Sequence, residues 1–261
     1  MTDTAEKSVL TVDVGNTVTR LGLFAGGRLT GAWGFTTPDR LTSDEAWLQV
    51  RGALDGAPLD GAILGCVVPP LSDAWREALA RACGSRPLVV GPGLRSGVRM
   101  RYDDPAEIGA DRVADVVAAR ERYGSPVVVV DLGTTTNFEV VDGTGAFLGG
   151  IIAPGAALGA RSLNAAAARL PMIELRAPAT VIGRNTRAAM ESGVVLGEVA
   201  RIDGLLDAIA DEMGEPAPVV LTGDGARDMA RLLRHEVAVD ETLTLRGLWS
   251  IWKANQRASR M

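Results

Sequence analysis

Two stretches of the chain are near copies of each other: VLTVDVGNT at 9–17 and VVVVDLGTT at 127–135. Aligning Asp13 with Asp131, 118 residues apart, puts Gly15 on Gly133 and Gly31 on Gly149. It also sets RLGLF against FEVVD, and the turn AGG against GTG. Each copy reads as apolar strands joined by Gly-rich turns, a β-meander. A single offset is expected to carry the whole strand–turn–strand–turn–strand unit. Chance likeness between two Gly-rich hairpins is the alternative, and the shared Asp–x–Gly–hydroxyl spacing speaks against it.

That spacing has a chemistry. An acid ends the strand, and Gly lets the chain turn with no side chain in the way. Backbone N–H groups and hydroxyls follow in a small nest that suits phosphate oxygens. The acid can hold a cation that neutralises them. Two such nests, one per domain with a cleft between, would grip a polyphosphate from both sides.

The remainder fits two α/β domains. In the first half, SDEAWLQVRGAL reads as a helix and GAILGCVV as a buried strand. SDAWREALARAC reads as a helix capped by Ser72, and PLVVG as a strand. PAEIGADRVADVVAARERYG is expected to form one long helix, with Pro105 in its first turn and Gly124 at its end. In the second half, GAALGARSLNAAAARL and the long run NTRAAMESGVVLGEVARIDGLLDAIADEM read as helices, the latter broken near Gly193 or Gly204. APVVLTGDGA is a strand and turn, and LTLRGLWSIWKANQR a final helix whose Trp249 and Trp252 suit a core or an interface. The domains are expected at 1–123 and 124–261.

Several chemistries are excluded. There is one histidine, His235, so a His-based triad or multi-His metal site has no material. The only lysines are Lys7 and Lys253, which rules out a GxxxxGK[ST] loop and a mid-chain Schiff base. Proton transfer falls mainly to carboxylates. Phosphates fall to backbone N–H groups, hydroxyls, arginine or a metal. Cys66 and Cys83 form no metal motif and read as buried small hydrophobes. A net charge of −5 without a dense Lys/Arg cluster argues against nucleic-acid or anionic-membrane partners. No apolar run reaches the ~18 residues of a membrane span. The N-terminus does not read as a signal peptide, so a cytoplasmic protein is expected. GPGLRSG (91–97) misses the dinucleotide fingerprint, its third Gly standing one residue late, and reads as a structural loop.

The two hairpins resemble the phosphate motifs of the acetate and sugar kinase, heat-shock ATPase and actin superfamily. More narrowly, the chain resembles the type III pantothenate kinases over nearly its full length. The resemblance is carried by DVGNT (13–17), VVPPL (67–71), GPGLRSG (91–97) and YDDPAEIGADR (102–112). It continues through DLGTTT (131–136), LGGIIAPG (148–155), IGRNTRAAMESG (182–193) and DETLTLRGL (240–248). It implies an α/β fold of two ribonuclease H-like domains of the actin-like ATPase superfamily. It implies transfer of the γ-phosphoryl of ATP, with Mg2+, to the primary hydroxyl of pantothenate, the first step of coenzyme A synthesis. The implied nucleotide loop is Asp13, Val14, Gly15, Asn16, Thr17, Val18, Thr19 and Arg20, with Thr134 as a second contact. Asp111 is the implied base. Tyr102, Gly109, Ala110, Asp111, Arg112 and Thr186 are the implied pantothenate contacts. Asp131 is the implied ligand of a monovalent cation, K+ or NH4+. The residue matching Thr186 reaches into a neighbouring subunit's site, which implies a homodimer with a shared active site.

Read without the resemblance, these residues keep plainer alternatives. Asp111 could be a helix-face carboxylate paired with Arg112 or Arg120, and Arg112 a surface charge. Tyr102 could be a domain-edge aromatic, and Asp131 a strand-end turn former. The chain also departs from the family. Thr135, Thr136 and Asn137 stand where Ala and two Thr are common, Glu139 where Asp is common, and Thr222-Gly223-Asp224 where Thr-Gly-Gly is common. These departures bear on nucleotide choice and leave open a non-catalytic accessory or regulatory homologue that binds nucleotide or pantothenate. A phosphatase-like or ATP-hydrolysing relative would need neither Tyr102 nor Thr186.

Overall fold

The computed structural model describes residues 7–167 and 169–258, with side chains through 256. The stretch through residue 6, where the absence of a signal peptide is expected, lies outside the described residues. The strands are β1 (Ser8–Val14), β2 (Val18–Ala25), β3 (Arg28–Thr36), β4 (Gly61–Cys66), β5 (Leu88–Val89) and β6 (Arg99–Met100), then β7 (Val127–Leu132), β8 (Thr135–Val141), β9 (Ala146–Pro154), β10 (Val219–Gly223) and β11 (Val237–Val239). The helices are α1 (Ser43–Leu54), α2 (Pro69–Cys83), α3 (Ala110–Tyr123), α4 (Ala156–Ala166), α5 (Thr186–Glu191), α6 (Gly197–Met213), α7 (Ala226–Ala230) and α8 (Leu243–Ala258). No helix among the described residues is long and apolar enough to cross a membrane.

The chain forms two compact units. One takes the chain up to Arg122 together with everything from Thr242 on; the other is Tyr123–Glu241. The final helix is read from sequence as part of the second domain, but it belongs to the first. There it packs on β1, β4 and β2. The reason is its apolar face: Leu248, Ile251 and Trp252 close a cluster with Val9, Ile63, Ala114 and Val117.

In the first unit the sheet order is β3–β2–β1–β4–β5. β1, β2 and β3 form antiparallel pairs, whereas β1–β4 and β4–β5 are parallel. Side chains alternate across a strand. Leu10, Val12 and Val14 therefore face α1 and α2, packing with Val50, Trp75 and Leu79, while Val9 faces the α3 and α8 side. Thr42 caps α1, its hydroxyl accepting from the Glu45 N–H while the Glu45 carboxylate accepts from the Thr42 N–H.

The second unit repeats this topology as β9–β8–β7–β10–β11 with the same strand senses. Even an irregularity recurs. β2–β3 slips where Leu23 meets Gly31 and Phe24 meets Leu29, and β8–β9 slips where Val140 meets Gly149 and Val141 meets Phe147. The skipped residues, Thr30 and Leu148, stand 118 apart, as Asp13 and Asp131 do. The single offset fails in one strand, however. Asp13 faces Arg20 across its hairpin, whereas Asp131 faces Asn137. The loop between β7 and β8 is one residue shorter than the loop between β1 and β2, so the second strands match at 117.

Other elements differ from their sequence reading. Pro69 starts α2 in its first turn, with Val68 before it, so Ser72 lies inside the helix rather than capping it. The long helix expected from Pro105 is two pieces. A single 3-10 turn, Pro105–Glu107, is capped by Asp104; the chain then extends at Ile108, and α3 begins at Ala110. α4 ends at Ala166 because Ala167 turns extended, well short of residue 170. The run from Thr186 to Met213 stays helical through Gly204. It widens into one π turn at Ser192–Leu196, around Gly193.

Candidate active site

The loop after β1 is held from below and open above. Gly15 donates its N–H to the Val18 carbonyl at 3.1 Å. A Cβ on Gly15 would lie 2.9 Å from that oxygen, so only glycine fits the turn without a shift. Thr37, just past β3, donates its N–H to the Thr17 carbonyl (2.9 Å), and its hydroxyl meets the Thr19 hydroxyl (2.8 Å). Asn16 and Thr17 are exposed, whereas Val14 and Thr19 are buried. Of the nucleotide set that the resemblance implies, Asn16 and Thr17 have exposed side chains, while Val14 and Thr19 are packed into the hairpin. Asp13 is buried at the strand end, directly opposite half-buried Arg20.

Asp13 and the start of α3 share one side of the sheet. Gly65 lies beside Asp13 in parallel register. A Cβ there would be 3.2 Å from a Leu248 methyl and 3.5 Å from the Ala110 Cβ. The bare position lets the first turn of α3 come down on the sheet next to Asp13. Nothing in the sequence near Gly65 signals this. Cys66, one residue on, donates its thiol to the Val68 carbonyl at 3.2 Å. Burial pushes that thiol up, and the nearby Asp13 charge adds to the rise. The contact to Val68 offsets part of that rise.

Asp111 sits in the first turn of α3. Its Oδ1 accepts the Arg112 N–H at 2.8 Å and folds back over Gly109. An added Cβ at Gly109 would stand 2.4 Å from that oxygen, so a side chain there would push the carboxylate aside. This also explains why the helix expected from Pro105 restarts here: the Gly109 carbonyl accepts the Val113 N–H, the opening bond of α3. Burial pushes the Asp111 carboxyl above the ordinary carboxylate range; the Arg112 N–H and the Arg112 charge offset only part of the rise. Arg112 is itself buried and lies over Tyr102, 6.0 Å from the ring centroid, a cation–π contact. The structure thus gathers Tyr102, Gly109, Ala110, Asp111 and Arg112 within the first unit. Arg112 is buried and so is not the surface charge of the plainer reading, while partly buried Asp111 does lie beside Arg112. A cavity of about 670 Å³ adjoins them, lined by Cys66, Ile108 and Gly109 and walled by residues of the 91–97 loop.

In the second unit Asp131 ends β7 between Thr222 and Asn137. Thr134 lies in the two-residue loop, where its carbonyl accepts the Gly155 N–H at 3.0 Å. The Thr136 hydroxyl points to the other face and donates to buried Glu198. Glu198 also receives Arg201, which reaches the Pro154 carbonyl at 2.5 Å. This clamp fixes both hairpin strands to α6, and Glu198 carries no motif that would announce it. Thr186 is exposed at the first position of α5, behind Asn185, whose side chain accepts the Ala188 N–H at 2.9 Å. The one histidine, His235, pairs with Asp207 at 2.9 Å.

A family model for type III pantothenate kinases matches residues 9–208. A type III pantothenate kinase from Moorella thermoacetica is 40% identical over 256 residues, covering 95% of this chain and 99% of the relative. Among solved structures, a chain described as of the Baf family, from Campylobacter jejuni, superposes with a TM-score of 0.59 at 19% identity, over 95% of this chain and 99% of that one. An inorganic polyphosphate/ATP-glucomannokinase from an Arthrobacter species gives a TM-score of 0.50 at 14% identity, over 98% and 100%. These structural likenesses establish the shared fold, the two-domain actin-like ATPase architecture.

Proposed function

The chain belongs to the type III pantothenate kinase family, and on that footing we propose how its residues carry out the family's reaction. The reaction moves the γ-phosphoryl of ATP to the primary hydroxyl of pantothenate, the first step of coenzyme A biosynthesis. ATP is used with a divalent metal. Asp13 suits that metal: Mg2+ takes one or two carboxylates and fills its remaining positions with water and phosphate oxygens. When bound, the ion would supply positive charge to the phosphate oxygens.

The observation that carries the residue assignment is the Asp111 carboxylate, raised in proton affinity and braced by Gly109 beside buried Arg112. A hydroxyl attacking phosphorus must lose its proton, and a base that holds a proton better than ordinary aspartate accepts it more readily. Asp111 takes the hydroxyl proton as oxygen attacks the γ-phosphorus and the bond to the β-phosphate oxygen breaks, leaving ADP. Arg112 and Tyr102 hold the pantothenate carboxylate and carbon chain. The 15–17 loop binds the nucleotide phosphates through its backbone, with Asn16 and Thr17, and Thr134 adds a contact. Phosphoryl transfer has a loose transition state, so such positioning supplies most of the catalysis. Asp131 holds a monovalent cation. The enzyme acts as a cytoplasmic homodimer in which Thr186 reaches the partner subunit's pantothenate. Exposed Val181 and Ile182, just before Thr186, support a covered surface there.

A coupled assay of ADP release with and without pantothenate tests this reading. Release only with pantothenate is the expected result. Release independent of pantothenate indicates a hydrolase, and none at all indicates an accessory protein.

A further inference from the structure

We propose that Asn137 and Thr222 complete, with Asp131, a site for a single monovalent cation in the second unit. The inference rests on reading Asp131 as a cation ligand, and it adds the other donors and the reason for the ion's charge.

Register places the three side chains in a row. Asp131 pairs with Asn137 on β8 and with Thr222 on β10. Cross-strand partners share a face with Cβ atoms about 5 Å apart. That face lies opposite the α6 core, which takes Val130, Leu132, Phe138 and Leu221. Asn137 is 7% exposed and Thr222 2%. The Asn137 Oδ1 is buried with no hydrogen-bond partner. An orphaned buried acceptor costs about 1–3 kcal/mol, and natural proteins keep few of them. A bound cation removes that cost.

The carboxylate beside it is packed against backbone. Gly223 has φ +85°, and a Cβ there would lie 2.5 Å from the Asp131 Oδ1 and 2.2 Å from the Leu132 carbonyl oxygen. The Asp131 carboxylate therefore lies over a position kept bare by a glycine that the backbone itself demands. The donors are all hard oxygens carrying one formal charge: a carboxylate, an amide oxygen and a hydroxyl. A divalent ion calls for more carboxylate. Among the described residues no three His, Cys, Asp or Glu side chains gather as a metal site. The set matches an ion of charge +1.

The test uses the full-length protein without nucleotide or pantothenate. Thermal unfolding is followed in KCl against choline chloride at matched ionic strength, and thallium-205 NMR reports Tl+ binding directly. Wild type should show a saturable, K+-specific rise in melting temperature, lost in Asp131→Asn. Asn137→Leu and Thr222→Val should each raise the half-saturating K+ concentration by about tenfold or more. Asn137→Asp sets a second carboxylate beside the first and should confer Tb3+ luminescence that wild type lacks. No K+ or Tl+ response in wild type overturns the reading of Asp131 and this inference with it. Loss in Asp131→Asn but wild-type half-saturation in Asn137→Leu and Thr222→Val leaves Asp131 standing and overturns the added ligands. If Asn137→Leu does not fold, the Tb3+ result decides: luminescence supports Asn137 as a ligand, and its absence overturns it.

Discussion

Asp111 unites two demands that usually compete. Its first-turn position and the Arg112 N–H favour the charged form, yet burial dominates and raises its proton affinity. Asp111→Asn keeps the shape and removes the acceptor, so turnover should fall about 10²–10⁴-fold. Turnover within a few-fold of wild type in a folded variant would exclude the assignment. The pH dependence has a definite sign. The base must be ionised, so kcat/KM should rise with pH through a limb lying above the ordinary aspartate range. Stability should move the other way. A carboxyl whose native proton affinity exceeds its unfolded one loses stability as pH rises through that window. Asp111→Asn should therefore be at least as stable as wild type at neutral pH, with the advantage shrinking in acid; unfolding curves at both pH values check this. The sequence marked Asp111 through GADR and the lack of a central histidine. It could not show that a side chain at Gly109 would push the carboxylate aside, because that is a contact made only in the fold.

Helix α3 carries Asp111, and α8 fixes α3. Thr244 donates to Asp115 at 2.6 Å, Ser250 reaches Glu121, and Gly247 crosses α3 so closely that a Cβ would fall 1.9 Å from the Ala114 carbonyl oxygen. Two effects oppose each other in Gly247→Ala. Helix propensity favours alanine by about 1 kcal/mol, while overpacking against rigid backbone costs about 1–3 kcal/mol. Contact at 1.9 Å with backbone decides for the cost, so the variant should melt lower. Its activity should also fall, as α3 shifts with Asp111. Gly204→Ala on α6, where a Cβ meets nothing within 4 Å, should gain up to about 1 kcal/mol instead. Paired melting curves distinguish the two. The helices themselves were largely legible, since their apolar periodicity and flanking turn residues are local. Their limits were not. Ser72 lost the cap because Pro69 begins the helix three residues earlier. The helix from Pro105 broke because the chain extends at Ile108, and the bond of Thr136 to Glu198, more than sixty residues away, carries no local signal.

At the scale of the assembly, the second unit exposes Met172, Leu175, Val181 and Ile182, the last at 80%. Their nearness in sequence to Thr186 fits a second copy covering this segment. If sites are shared, Asp111→Asn and Thr186→Arg should rescue each other. In a mixed dimer one site carries both lesions and the other carries neither. Random pairing makes half the dimers mixed, each with one intact site, so activity should recover to roughly a quarter of wild type. No recovery after subunit exchange, verified by mass spectrometry, would place Thr186 outside its neighbour's site.

The return of α8 to the first unit sets an order of assembly. On a ribosome, β1 through α3 emerge first but cannot seal the face that holds Val9, Ile63, Ala114 and Val117. The second unit, continuous from Tyr123 to Glu241, is fully synthesised before the first one is. The first unit is thus finished after the second, and the seat of Asp111 is completed only once α8 has been made. Nascent chains arrested before Thr242 should accordingly resist protease in the later half while the earlier half is still cut. An unfinished chain would then carry a folded second unit and no working phosphoryl-transfer centre.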